Sequence, residues 1–301
     1  MENKYAVLTG AAGFAGIHLL KALLNEGYTV YAVVRKGSAH NKRLYDGNLF
    51  KADEMPGKLI MTEIADSDYK SLPGLTGNDC EFFFHMASIP GRDDEQAAMQ
   101  NIKDIQAAVE TAKKLGCRRF IGTGSQAEYG IADCLITEEL PPEPFSAYGR
   151  SKAQMCSISK ALCKEIGMEW VWGRIFSLIG EYEPEGRLIP DMIKCLKNGG
   201  EFNTSAATQQ WDYLDAGDCA RAFIALAERA VSGESYNVAN GDHHELKYYT
   251  ELLKKRFGGN VIYGEEAANR VSLNASVDKI KRDTGWMAKI SFMETIERVY
   301  G

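Results

Sequence analysis

The 301-residue chain contains no run of 18 apolar residues, and its opening Met-Glu-Asn-Lys-Tyr leads into an apolar strand without a leader pattern. A bilayer span needs about 20 such residues, so neither a membrane segment nor a signal peptide is expected. Paired cysteine motifs are missing too. The seven cysteines (Cys80, Cys117, Cys134, Cys156, Cys163, Cys195 and Cys219) are odd in number and include no C-x-x-C. That argues against a disulfide framework and for reduced thiols in the cytoplasm. Basic charge is not in excess: 35 lysines and arginines face 41 acidic residues, so nucleic acid is not an expected partner. Histidine is scarce, at five residues. His243 and His244 precede Glu245, which is not H-E-x-x-H, so no metal site is expected and the segment reads as a solvated loop. Internal repeats and low-complexity linkers are absent, which excludes a solenoid or tethered domains.

What is present is an alternation of strand and helix patterns. Tyr5–Thr9 is a short apolar strand, and Phe14–Asn25 places Ile17, Leu20 and Leu24 on one helical face. Further strand patterns occupy 29–34, 59–63, 81–85, 119–122 and 170–174, with a long helical pattern over 97–115. This order implies βαβ units and a parallel sheet. The run Phe82, Phe83, Phe84 suits a strand covered on both faces. The expected class is α/β: a Rossmann-type doubly wound parallel sheet with a smaller C-terminal substrate-binding lobe. Residues 1–175 are assigned to the dinucleotide-binding domain that carries the catalytic residues. Residues 176–301 are assigned mainly to the lobe, with some segments returning to the first domain. In this second part 180–186 and 199–210 read as loops, Leu188–Lys197 and 218–228 as helices, and 235–238 as a strand.

Two local motifs carry chemistry. Gly10, Gly13 and Gly16 follow the first strand and open the first helix, with Phe14 and Ala15 between the last two. Such glycines permit a tight turn, close approach of a pyrophosphate and close helix–strand packing. Tyr148 and Lys152 stand four residues apart, which on a helix places them on one face. Alone the pair reads as exposed surface. Beside a dinucleotide turn it becomes a proton relay, in which the nearby ammonium is expected to lower the tyrosine pKa. The second strand ends in Val34, Arg35 and Lys36 rather than an acid. An acidic residue there serves the ribose hydroxyl of NAD and an arginine the 2′-phosphate of NADP, so NADP is expected, with NAD possible.

With Thr9 before it and Phe14 inside it, the turn resembles the TGxxGFxG signature of extended short-chain dehydrogenase/reductases, the NAD-dependent epimerase/dehydratase family of nucleotide-sugar-modifying enzymes. Other segments resemble the family in order: 84–88 its FHxAA strand end, 101–105 its NVxGT helix, 120–130 the strand of its catalytic Ser/Thr, 176–180 its RxFNVYG segment, and Gly285 with Trp286 its GW pair. The resemblance implies Ser125, Tyr148 and Lys152 as the catalytic set, with Tyr148 and Lys152 also meeting the cofactor. It implies Asp66 at the adenine and Ala87 at the nicotinamide ribose. It implies Ser88, Ser125, Ser177, Phe202, Trp211 and Arg270 on the substrate side. Trp211 stands where the family has a pyrophosphate arginine, leaving Arg270 as the expected cation there, and Ser177 replaces an asparagine. Family dehydratases follow the catalytic hydroxyl with Asp-Glu, whereas this chain has Gln126 and Ala127, with Glu128 next. Asp53, Glu54, Glu138 and Glu139 read as surface charge.

Three functions fit these residues. The first is NAD(P)-dependent reduction of a nucleotide-activated keto-sugar. The second is nucleotide-sugar 4-epimerisation with retained cofactor, and the third a non-catalytic NADP(H) sensor. The expected partners are a nucleotide sugar and a second copy of the chain.

Overall fold

The apolar runs pair in parallel in the computed structural model, which describes residues 4–45, 55–65, 68–74, 80–265 and 271–301. In chain order the strands are β1 (Tyr5–Thr9), β2 (Thr29–Arg35), β3 (Lys58–Ile64), β4 (Cys80–His85), β5 (Arg119–Ser125) and β6 (Glu169–Ile175). The short strands β7 (Ser177–Ile179), β8 (Glu201–Thr204), β9 (Gln210–Trp211) and β10 (Tyr213–Asp215) follow. β11 (Glu234–Val238), β12 (His244–Glu245) and β13 (Asn260–Tyr263) complete the set. The helices are α1 (Phe14–Asn25), α2 (Glu95–Lys114), α3 (Ala147–Glu165), α4 (Leu188–Lys197), α5 (Ala216–Arg229), α6 (Leu246–Phe257), α7 (Asp278–Thr284) and α8 (Phe292–Tyr300).

Seven strands form one sheet in the order β11-β6-β5-β4-β1-β2-β3, and every neighbouring pair is parallel. This is the doubly wound class. The period-2 side-chain alternation of strands sends Phe82 and Phe84 to one face, with Leu20 and Phe223 of α1 and α5. Phe83 goes to the other face, with Ile105 of α2 and Met155 of α3. Burying one such ring contributes roughly 1.5–3 kcal/mol, and all three are buried. The chain winds outward from β1 in one direction and from β4 in the other, so their carboxyl ends flank the crevice where open α/β sheets bind ligands.

The second half is not a separate block. β11 extends the main sheet beside β6, and Ala222 and Phe223 of α5 and Ile280 of α7 share a core with α1. A third core gathers α4, α6 and α8 around Tyr213. The segment 199–210, expected as loop, contains β8, paired in parallel with β13 in the register Phe202↔Val261. Its partner lies some 60 residues on and its residues alternate between exposed and half-buried, which leaves a weak local signal. Among the described residues no helix is long and apolar enough to cross a membrane.

Candidate active site

The glycine turn is built by backbone contact. Gly10 adopts φ +69°, and a Cβ there would meet the Ala87 nitrogen at 2.7 Å. A Cβ on Gly16 would collide with the Gly10 carbonyl. Gly13 caps α1 without a side-chain hydrogen bond, and the first turn holds no acidic residue. The amides of Phe14 and Ala15 open that turn, a donor set that fits a pyrophosphate. Thr9 Oγ1 accepts from the Ala87 N–H at 3.3 Å and shares a hydrogen bond with His85 Nδ1 at 3.1 Å. Gly10, Gly13, Phe14, Ala15, Gly16 and Ala87 thus come together at the β1–β4 crevice.

At the end of β2, Arg35 is exposed and its carbonyl accepts from Asn41 Nδ2 at 3.0 Å. The same amide nitrogen reaches Glu63 Oε1 on the neighbouring strand at 3.1 Å. A second guanidinium reaches this region. Arg43 Nη1 donates to the Ala12 carbonyl in the glycine turn at 3.1 Å, and its guanidinium lies 5.0 Å from the Tyr182 ring centre. Burial, together with the positive charges of Arg43 and Arg35, holds the His40 pKa below its ordinary value, which puts all three side chains in one locale. Asp66 lies outside the described residues.

Ser125 ends β5, and Tyr148 and Lys152 occupy the first turns of α3, whose cap Ser146 accepts from Gly149 N at 3.0 Å. The Ser125 side chain faces Tyr148 closely enough to oppose the burial-driven rise of its pKa. Lys152 is 2% exposed. Its ammonium donates to the Thr123 carbonyl at 2.9 Å and lies 5.8 Å from the Tyr148 ring centre. The three residues therefore converge, but the expected pKa direction for the tyrosine is reversed. Burial raises the Tyr148 pKa, opposed by the Ser125 hydrogen bond and by Arg187. Burial likewise pushes Lys152 down to about 8, opposed by the Glu128 charge. Desolvation disfavours whichever form is charged, and here it is the largest influence on both groups.

On the substrate side, Ser88 is exposed just past β4. Ser177 opens β7, opposite Tyr213. Phe202 packs on the third core, and Trp211 touches both that core and a smaller one around Tyr129. The Trp211 indole Nε1 is buried without a partner, a donor facing no protein acceptor. Arg270 lies outside the described residues. His244 is not in a solvated loop: it pairs with Trp211 between β12 and β9, and its ring centre lies 4.1 Å from that of Tyr248. A cavity of about 430 Å³ in this lobe is lined by Tyr213, Asp242, His244, Tyr249 and Phe292 among others, and Ser125, Tyr148 and Lys152 do not line it. Among the described residues no three His, Cys, Asp or Glu side chains gather as a metal site.

The sequence profile of the NAD dependent epimerase/dehydratase family matches residues 6–239. The chain belongs to this family. It is 25% identical to UDP-arabinose 4-epimerase 1 of Arabidopsis thaliana over 98% of this chain and 78% of that one. It is 23% identical to CDP-abequose synthase of Salmonella muenchen over 99% and 97%. Its fold matches UDP-glucuronic acid 4-epimerase of Bacillus cereus, solved in complex with NAD, with a TM-score of 0.81 at 23% identity, covering 98% of this chain and 97% of that chain.

Several features of this family member were not visible in the sequence. Glu128 is fully buried and ion-paired to Arg174 at 2.8 Å, so it is not the free acid that a dehydratase needs beside the catalytic hydroxyl. Glu138, read as surface charge, accepts from the Asn237 N–H at 2.7 Å, and burial raises its pKa. Asp53 and Glu54 lie outside the described residues. Glu183 has one carboxylate oxygen buried without a partner. Burial pushes its pKa up to about 7, opposed by Arg187, the same arginine whose charge acts on Tyr148. From the loop before α4, the Arg187 charge thus acts on both Tyr148 and Glu183, while the Glu183 carboxyl acts on Tyr213 and Tyr300. Only the Glu-x-x-x-Arg spacing of 183 and 187 hinted at them.

Proposed function

We propose that this protein moves a hydride and a proton at one ring carbinol of a nucleotide sugar, and that its net reaction is 4-epimerisation. The observation that carries the chemistry is the convergence of Ser125, Tyr148 and Lys152 beside Gln126 and Ala127, with Glu128 committed to an ion pair. That set suits reversible alcohol oxidation and leaves no free acid–base pair for eliminating water. The names of the relatives, UDP-sugar 4-epimerases among them, support the sugar nucleotide and the position.

The glycine turn and the α1 amides would hold the dinucleotide diphosphate, with Arg35 and Arg43 at the adenine-side ribose and Lys152 at the nicotinamide ribose. When bound, the nicotinamide ring supplies or accepts the hydride. In the oxidation half Tyr148 as phenolate would accept the carbinol proton, and in the reduction half it would return that proton to the developing alkoxide, the direction that burial favours. The Ser125 hydroxyl hydrogen-bonds the same oxygen, and the Lys152 charge favours proton return. Preorganised donors of this kind are typically the largest electrostatic contribution to such a step. Trp211 and Arg187 border the substrate side.

A second reading, net reduction of a keto-sugar nucleotide by NADPH, is favoured by one observation. β2 ends in Arg35, and Arg43 reaches the glycine turn beside it. One experiment separates the two. The purified protein is offered UDP-, dTDP-, CDP- and GDP-hexoses and their 4-keto forms, with product NMR and absorbance at the reduced-nicotinamide band. An epimerase interconverts 4-epimers with no net absorbance change. A reductase consumes NADPH in step with keto-sugar. Inactivity toward every nucleotide sugar overturns both readings.

A further inference from the structure

We propose that Glu128 is a positioning residue of the proton relay, holding Ser125 by its main-chain N–H and supplying the negative charge that faces the Lys152 ammonium. The proposal rests on the reading of Ser125, Tyr148 and Lys152 as the reacting set. Glu128 Oε1 accepts from the Ser125 N–H at 2.9 Å and from Trp172 Nε1 at 3.0 Å, while Oε2 accepts from Arg174 Nε at 2.8 Å. Arg174 Nη1 donates in turn to the Tyr129 hydroxyl at 2.8 Å, which donates to Asn237 Oδ1 at 2.7 Å. Three donors occupy the carboxylate, so it does not exchange protons with substrate. It acts through its neighbours.

The backbone makes room for this arrangement. A Cβ at position 124 would overlap both Glu128 Oε1 and Trp172 Nε1. Ser125 Oγ accepts from the Ala127 N–H at 3.2 Å, closing a reciprocal cap in which Glu128 holds one end and Ser125 the other. The main chain of Ser125 is therefore held by one buried carboxylate, and its hydroxyl oxygen by the Ala127 N–H of the same turn. A buried ion pair is often no more stabilising than well-packed apolar side chains, so stability alone is a weak reason to keep Glu128 and Arg174 here. Charge is a better one: burial favours neutral Lys152, and Glu128 is the group that opposes it. The charged and titratable groups around the pair are Arg174 on β6, Tyr129 past β5, Tyr148 and Cys156 on α3, Glu138 from the following loop and His85 on β4. His85 is held neutral by burial, its pKa pushed down to about 3.

The test uses the full-length protein with its nucleotide-sugar substrate and two variants. Glu128→Gln/Arg174→Gln removes both charges without leaving a buried guanidinium unpaired. Its alkaline limb of kcat/KM, near pH 8 in the wild type if Lys152 sets it, should move down by about one unit, because losing a nearby carboxylate favours neutral Lys152 and phenolate Tyr148 alike. Its kcat should fall about tenfold with KM within about threefold. Glu128→Asp keeps the charge but withdraws it by one methylene, so kcat should fall by a similar factor while the limb stays in place. An unmoved limb in the double variant overturns the charge role, and an unchanged kcat in Glu128→Asp overturns the positioning role. If the double variant does not fold, Glu128→Gln alone carries the limb test, and an unmoved limb there overturns the charge role, while Glu128→Asp carries the positioning test. The pH dependence of NADH and NADPH binding, measured by calorimetry, reads Lys152 without turnover. The proposal is thereby separable from the functional reading, which fails if the wild type converts no nucleotide sugar.

Discussion

The wall that carries Ser125, Tyr148 and Lys152 and the rim contributed by residues 181–245 treat their polar groups in opposite ways. On the wall, Glu128 takes three donors, Lys152 reaches a main-chain carbonyl and Asn237 donates to two. On the rim, Glu183 Oε2, Gln209 Oε1, Trp211 Nε1 and His243 Nδ1 are each buried with no protein partner. An unmet buried polar atom costs roughly 1–3 kcal/mol. The difference sets a wall whose polar geometry the protein fixes by itself against a rim where several buried polar atoms are left without a protein partner.

The strongest way to break the comparison is on the wall. Tyr148→Phe removes the proton and should lower turnover by roughly 10²–10⁴-fold while calorimetry finds dinucleotide affinity little changed. A smaller loss would move the proton elsewhere. At the cofactor end, Arg43→Gln should weaken NADPH binding about tenfold, since a charged hydrogen bond contributes roughly 1.5–3 kcal/mol, and leave NADH nearly untouched. Equal losses for both dinucleotides would assign Arg43 to bracing the glycine turn instead of meeting a phosphate.

The rim should respond in KM. Trp211→Phe keeps most of the ring packing and removes the indole donor, so steady-state kinetics should show KM for the sugar nucleotide up roughly three- to tenfold at constant kcat. A kcat change with constant KM would place Trp211 on the wall's side of the division. The smallest effect concerns Glu183. Its folded pKa of about 7 lies above the ordinary carboxylate value, so the folded state favours the protonated form. The stability this contributes is fully present below about pH 4.5 and lost as pH rises through about 7. Glu183→Gln should therefore lose less thermal stability than the wild type between pH 5 and pH 8, by roughly 2 °C. Parallel melting curves across that range would show Glu183 to be solvated.

Much of the sheet was legible because its signals are local. The apolar runs at β1, β4 and β6 need only burial on both faces, and α1 and α4 form over the residues their periodicity marked. The three glycines were readable because close backbone approach admits no Cβ. The short strands β8, β9, β12 and β13 were not, since each is held by a partner far along the chain. Within the candidate site, motif spacing singled out Ser125, Tyr148 and Lys152, which the structure places near one another, whereas Glu128 looked like an uncertainty of register and Glu138 like surface charge.

The sequence by itself determined the class of sheet, the glycine turn and the i,i+4 pairing of Tyr148 with Lys152, because periodicity, glycine geometry and helical spacing are written in neighbouring residues. Tertiary structure alone decided that Arg174, 46 residues from Glu128, neutralises it, and that Arg43 reaches back to Ala12. It also decided that burial raises the Tyr148 pKa when an adjacent lysine suggested the reverse. The physical reason is common to all three. A charge's partner, and the water it has lost, depend on which distant segments pack over it, and no local pattern of residues specifies that.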